Sequence, residues 1–318
     1  MRWYQPDERW EIWGIKNQEE YVEKYVVLGK FHNNVPRDVV EAFETVTYLM
    51  AHAYFYYPIY DEAMSKALLI MEMAIKIKAE ELQINLKEPP TKKGIVYDKK
   101  LYRIIEEVCS HDYLKFLEPE FNRSKKMRNT KMHPKEHTIM GAMGFTQGNA
   151  MLFVNVINKF FMPENELRFN SATYFDLSKP LLKFKQGLFV VERNSAKFLI
   201  TSIFDFKYLK HLKKEILLLY VQPILLNAKK SIENHNYVPL ILALNQFEIK
   251  GHSISGVDTD NNNIKIYANK KKENIFTWKK FIEDYNKINR SDLNQFHVQS
   301  SRMALWRYEE LIYENCWD

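Results

Sequence analysis

Residues 35–82 read VPRDVVEAFETVTYLMAHAYFYYPIYDEAMSKALLIMEMAIKIKAEEL. Asn34-Val35-Pro36 starts a helix, because proline is tolerated in the first turn. Val39, Phe43, Val46, Met50, Ala53 and Tyr57 then recur at three- and four-residue steps and form one apolar face. Pro58 punctuates the pattern. Ala63, Ala67, Ile70, Ala74 and Ile77 follow on one stripe, with Leu68, Met71 and Ile75 beside it. A stripe this wide predicts burial on more than one side, as in a bundle. Two long helices meeting at a proline corner read as an antiparallel helical hairpin.

Outward from the hairpin, residues 84–96 carry Pro89-Pro90 and Gly94 and read as a loop. Leu101, Ile104, Ile105 and Val108 predict a short helix. Another follows Pro119 through Phe121, Ser124 and Arg128, and Pro134 ends it, since the residue before a proline avoids the helical region. A long helix from about residue 135 to 161 places Met143, Gln147, Ala150, Val154, Ile157 and Phe161 on one side. Residues 35–162 therefore predict an all-α, up-and-down bundle of four or five helices. Residues 1–34, with Trp3, Trp10 and Trp13, predict a segment packed back onto it, because three exposed tryptophans would be a liability.

Met162-Pro163-Glu164-Asn165-Glu166 marks the boundary, and residues 168–318 read as a mixed α+β domain. Leu182-Lys183-Phe184-Lys185 alternates, Gly187 supplies a turn, and Leu188–Val191 resumes the pattern. Lys197–Phe206, Val238–Ile249 and Ile264–Tyr267 are strand-like, and Thr277–Lys287 and Ser300–Tyr313 are helix-like. The expected fold class is thus α+β overall.

The length of 318 residues suits two domains, and 46% hydrophobic residues can fill a core in each. Forty-six Lys and Arg against forty Asp and Glu give a net charge of +6, compatible with a polyanionic partner. Cys109 and Cys316 form no Cys-x-x-Cys pair and read as free thiols in a reducing compartment. The opening MRWYQPDERWEIW has charges within its apolar stretch and no signal-peptide core. The longest apolar run, Ala150–Met162, is broken by Asn155, Asn158 and Lys159, so no membrane span is expected and the expected compartment is cytoplasmic.

Arg123, Lys125, Lys126, Arg128, Lys131 and Lys135 fall within thirteen residues, a density of positive charge suited to a phosphodiester. Arg128 and His133 are separated by four residues. On an unbroken helix they would point about 140° apart, but Pro134 lets the backbone turn and bring imidazole beside guanidinium.

Arg128-Asn129-x3-His133-Pro134, before the last long helix of a bundle and after a helical hairpin, resembles the HEPN family, whose members carry Arg-x4–6-His with a polar residue after the Arg. The Ala-rich helix with Glu72 is similar to an early helix of that domain, where some members place an acidic residue. The resemblance covers about residues 35–162. It implies a metal-independent, cofactor-free endoribonuclease that cleaves RNA to a 2′,3′-cyclic phosphate. His133 would be the acid/base, Arg128 the transition-state stabiliser, Asn129 an orienting group and Glu72 an auxiliary residue. It further implies RNA binding by Arg123, Lys125, Lys126, Lys131 and Lys135, a homodimer formed through the helical domain, and an effector of a defence or toxin system with a protein partner of antitoxin type. The rival reading is a catalytically silent helical scaffold for nucleotide, nucleic acid or protein, in which Glu72 simply pairs with Lys76 one turn later.

Other signals carry less. Arg290 and His297, separated by six residues, lack a basic cluster and read as a chance match to the same motif. Asp258-x-Asp260-Asn261-Asn262 lacks the Gly and Glu of a calcium loop and reads as a hairpin turn. Lys207–Lys214 reads as a solvated helix face. No metal-ligand spacing and no glycine-rich phosphate loop occur.

Overall fold

The computed structural model describes residues 4–132, 143–225, 227–234 and 238–317. The chain is α+β, as the sequence predicts, and divides into two compact units: Met1–Leu167 with Trp317–Asp318, and Arg168–Cys316. Among the described residues, no helix is long and apolar enough to cross a membrane.

The described part of the first unit is helical: α1 (Arg9–Ile12), α2 (Gln18–Tyr25), α3 (Arg37–His52), α4 (Ile59–Glu81), α5 (Leu101–Val108), α6 (Glu118–Met132), α7 (Met143–Phe161) and the start of α8 (Glu164–Leu181). Pro36 immediately precedes α3, and α3 packs along α4 as the hairpin pattern requires. Ten residues of α4 are buried, from Tyr60 to Ala79, on more than one face. Trp10 is buried among Tyr21, Tyr25, Tyr57 and Tyr60, and its indole donates to Ala53 O at 3.0 Å. Trp13 remains half exposed, and Trp3 lies outside the described residues.

Helix α7 carries Asn149, Asn155 and Asn158 among apolar neighbours, all fully buried. Each finds a partner, as buried amides must. Asn149 Oδ1 accepts from Arg123 Nη2 at 2.7 Å, and Asn155 Oδ1 accepts from the Trp317 indole at 2.6 Å. Asn158 accepts from the His32 amide at 3.0 Å and donates to Lys30 O at 2.7 Å. These asparagines tie separate chain segments to one helix.

In the second unit, β1 (Phe189–Arg193), β2 (Ala196–His211), β3 (Lys214–Pro223), β4 (Leu240–Lys250), β5 (Ser253–Asp258) and β6 (Asn263–Ala268) pair antiparallel in chain order. β1 also pairs with β6, Phe189 opposite Ala268, and closes a barrel. Inward residues Val191, Ile200, Leu217, Leu219, Val221, Leu244, Ile254 and Ile266 fill it, joined by Leu181 and Phe184. These side chains pack together as the core enclosed by the six strands. Among the described residues, most of α8 and the helices α9 (Ala228–Glu233), α10 (Lys272–Asn286) and α11 (Arg290–Asn315) accompany the barrel.

Two expectations change, and two elements, α8 and β3, have no counterpart in the sequence reading. Leu182–Phe184 is a 3-10 turn closing α8, so the apparent alternation there is not a strand. Helix α8 itself has an apolar stripe at Leu167, Tyr174, Leu177 and Leu181, interrupted by Asn170, whose amide bonds both N and O of Lys210. Lys207–Lys214 is no helix. It is the end of β2, the turn at Leu212 (φ 53°) and the start of β3. Sequence reading also missed β3, whose seven consecutive buried residues from Ile216 to Gln222 mask the alternation of a strand.

The segment after β5 is the β5–β6 turn. Asp258 Oδ1 accepts from the amides of Asp260 (2.9 Å) and Asn262 (2.7 Å), and Oδ2 from Arg193 Nε (2.7 Å). Burial pushes this carboxyl upward, but the Asn262 and Arg193 donors outweigh it and hold it below the usual carboxylate range. Both cysteines are buried free thiols, and burial pushes Cys109 up to about 12.

Because the folded-state value of Asp258 is depressed, its stabilisation is present above the unfolded value and lost as pH falls through the folded one. Asp258→Ala is expected to lower unfolding free energy near neutral pH by about 1–3 kcal/mol. In denaturant titrations, the gap between variant and wild type should narrow in the acid range below about pH 4.

Candidate functional site

Asp61 and Glu72 lie eleven residues apart on α4, three helical turns, and therefore on one face. That face meets α6, whose Arg128 and Lys131 answer the two acids in antiparallel order. Lys131 Nζ contacts Asp61 Oδ2, both side chains nearly buried. Arg128 Nε lies 3.0 Å from Glu72 Oε2, with side chains 27% and 14% exposed. The N–H is not aimed along that line, so the contact is ionic and neither atom has a hydrogen-bond partner. Glu72 also holds Lys76 at 2.7 Å, the i,i+4 pair expected from spacing.

Glu72 thus carries one negative charge between two cations. Arg128 faces it with its Nε edge. On the opposite edge, Nη1 donates to Asn129 Oδ1 at 3.3 Å, and Nη2 has no hydrogen bond among the described residues. A guanidinium has five donors in a planar fork, and with Glu72 beside Nε and Asn129 on one Nη1 donor, the remaining Nη donors can meet the oxygens of an oxyanion. The arrangement can hold a phosphate or carboxylate in a fixed orientation.

The remaining basic residues of α6 differ. Arg123 is spent on Asn149 and, at 3.6 Å, on Glu120. Lys125 bonds Asn122 Oδ1 at 2.9 Å and lies 5.8 Å from the Tyr102 ring centre. Lys126 is exposed and has no carboxylate partner among the described residues. His133 and Lys135 lie outside the described residues, as does Pro134. The structure therefore brings together Glu72, Arg128 and Asn129, with Lys76 as a fourth member. The cue for Lys76 was its spacing from Glu72. The Asp61–Lys131 pair had no signal in either local segment. Among the described residues, no group of three His, Cys, Asp or Glu side chains is arranged to hold a metal ion.

No family model matches the chain, and neither a curated protein nor a solved structure does.

Glu72 and Arg128 should couple in stability. Glu72→Gln and Arg128→Met are each expected to lower the unfolding free energy by about 1–2 kcal/mol, between the values for exposed and buried ion pairs. The double variant should lose less than the sum, by about 0.5 kcal/mol or more. Strictly additive losses in urea unfolding would show that the two side chains act independently.

Proposed function

We propose that the helical unit is a metal-independent endoribonuclease of HEPN type, working as a homodimer. The observation that carries this reading is the posture of Arg128: Glu72 lies against Nε, Asn129 takes one donor of Nη1, and the other Nη donors remain for an oxyanion. That is the posture a transition-state stabiliser of phosphoryl transfer needs. The sequence supplies the other half, with His133 five positions on from Arg128.

RNA brings its own nucleophile. His133, as general base, takes the proton of a 2′-hydroxyl, and the oxygen attacks the adjoining phosphorus. Negative charge accumulates on the non-bridging oxygens, which Arg128 binds in pairs. The P–O5′ bond breaks, the departing oxygen takes a proton, and the products are a 2′,3′-cyclic phosphate and a 5′-hydroxyl. Asn129 restrains the guanidinium, and Glu72 positions it without touching substrate. Lys125 and Lys126, which have no carboxylate partner among the described residues, supply backbone affinity with Lys135. An effector role in defence, held in check by a protein partner, is part of the same reading.

The second reading is a silent scaffold. It is favoured by one observation: Arg123, Arg128 and Lys131 each contact a carboxylate, which reduces the charge offered to a polyanion.

Structured RNA incubated with the full chain in EDTA decides between them. The expected result is fragments with cyclic-phosphate ends, and a loss of about 10²-fold or more for His133→Ala and Arg128→Ala with circular dichroism unchanged. Glu72→Gln should lower kcat more than it changes KM. Cleavage that survives both alanine variants would place the activity elsewhere. RNA binding without cleavage would establish the scaffold.

A further inference from the structure

On β2, Ile203 pairs with Val221 and Asp205 with Tyr220, leaving Phe204 as an extra residue opposite no partner. This is a β-bulge, and its effect is visible in the barrel core. Ile203 and Phe206 both point inward, although residues three apart on a regular strand face opposite sides. The extra residue turns both Phe204 and Asp205 outward. Tyr220, between the inward Leu219 and Val221, faces the same way.

Helix α11 lies over β3 and β4 and carries His297, Ser301, Ala304 and Tyr308 at alternating steps of four and three residues, one helical face. Between that face and the bulge is a recess of about 360 Å³, lined by Phe204, Asp205, Tyr220, His297, Ser301 and Tyr308 among others. This volume is at the lower end of the range for small-molecule sites, about 300–1,000 Å³.

Three features define what the recess accepts. Its walls are aromatic: the Phe204 ring centre lies 5.3 Å from Tyr220 and 5.8 Å from His297. Asp205 is its one carboxylate among the described residues, and no side chain pairs with it there. Burial holds His297 below the usual imidazole range, so its ring is neutral near pH 7 and puts no competing positive charge on the wall. His297 Nε2 is already engaged, 2.8 Å from the Tyr285 hydroxyl. The Tyr308 side chain closes the floor of the recess, and its hydroxyl is fully buried against the Tyr220 backbone, out of a ligand's reach.

We propose that this recess on the outer face of the barrel binds a small organic cation, a protonated amine carried on an aromatic or aliphatic body. The ammonium lies against Asp205 and the aromatic faces, which attract it through their quadrupoles. Its N–H groups are the donors that the Asp205 carboxylate lacks. The site belongs to the second unit alone and does not depend on the ribonuclease reading.

Calorimetric titration of the full chain with benzylamine tests it, with benzyl alcohol and benzoate as probes of matching size. Saturable one-site binding of benzylamine is expected, with benzoate not binding and benzyl alcohol at least tenfold weaker, about 1.4 kcal/mol. Asp205→Asn should weaken benzylamine tenfold or more. Ser301→Trp, at an exposed position, should abolish binding by filling the recess with the thermal unfolding temperature unchanged. No saturable binding by the wild type, equal binding of alcohol and amine, or benzylamine affinity unchanged in Asp205→Asn would each overturn the proposal.

Discussion

Helix α4 is buried on more than one face, so a charge it carries has to be answered by whatever packs against it. This constraint organises the candidate site. Asp61 and Glu72 present two carboxylates toward α6, and α6 responds with Lys131 and Arg128. Taking such groups out of water is costly unless the counter-charge arrives in good geometry. The pairing therefore fixes the register of α6 along α4, and with it the direction in which the rest of the Arg128 guanidinium points. A charged residue whose placement is dictated by packing is pre-positioned for any ligand that arrives later, and the ligand does not bear the cost of ordering it.

The same logic recurs in the second unit with backbone in place of charge. A small barrel fills its interior with every second residue of each strand, so an unbroken β2 would send Asp205 inward with Ile203. A buried, unpaired carboxylate there would be severely destabilising. One extra residue at Phe204 moves it to the outside and aims it at α11. The bulge serves the barrel by keeping charge out of the core, and it places the carboxylate beside the rings of Phe204, Tyr220 and His297.

Much of the first unit was legible in the sequence because its helices carry the 3.6-residue period plainly. Val39, Phe43, Val46 and Met50 are all buried, and the proline corner falls at Pro58 between α3 and α4. The second unit was harder, for identifiable reasons. β3 is buried on both sides and so has no alternation. The bulges in β2 shift the phase of its alternation midway. Asn170 sits in the apolar stripe of α8 because it bonds a strand backbone, a long-range purpose invisible to local pattern. The asparagines of α7 broke an apolar run in the sequence, and in the structure they join distant segments. At the candidate site, spacing alone paired Glu72 with Lys76, and a family resemblance singled out Arg128. Nothing in the sequence joined Glu72 to Arg128, fifty-six positions away, since that contact depends on how two helices pack. By spacing alone His297 is only a chance motif match, yet it projects from α11 to line the recess.

The pairing of β1 with β6 has a further consequence. An open sheet ends in two strands whose amides and carbonyls on one side are unsatisfied, and any passing extended segment can continue the ladder. Here the first and last strands satisfy each other, so the described sheet offers no template for templated growth. A chain crowded at high concentration, or newly made beside many copies of itself, cannot propagate strand-to-strand from the folded barrel. Self-association of the native unit is left to side-chain surfaces, which saturate, and not to backbone edges, which do not.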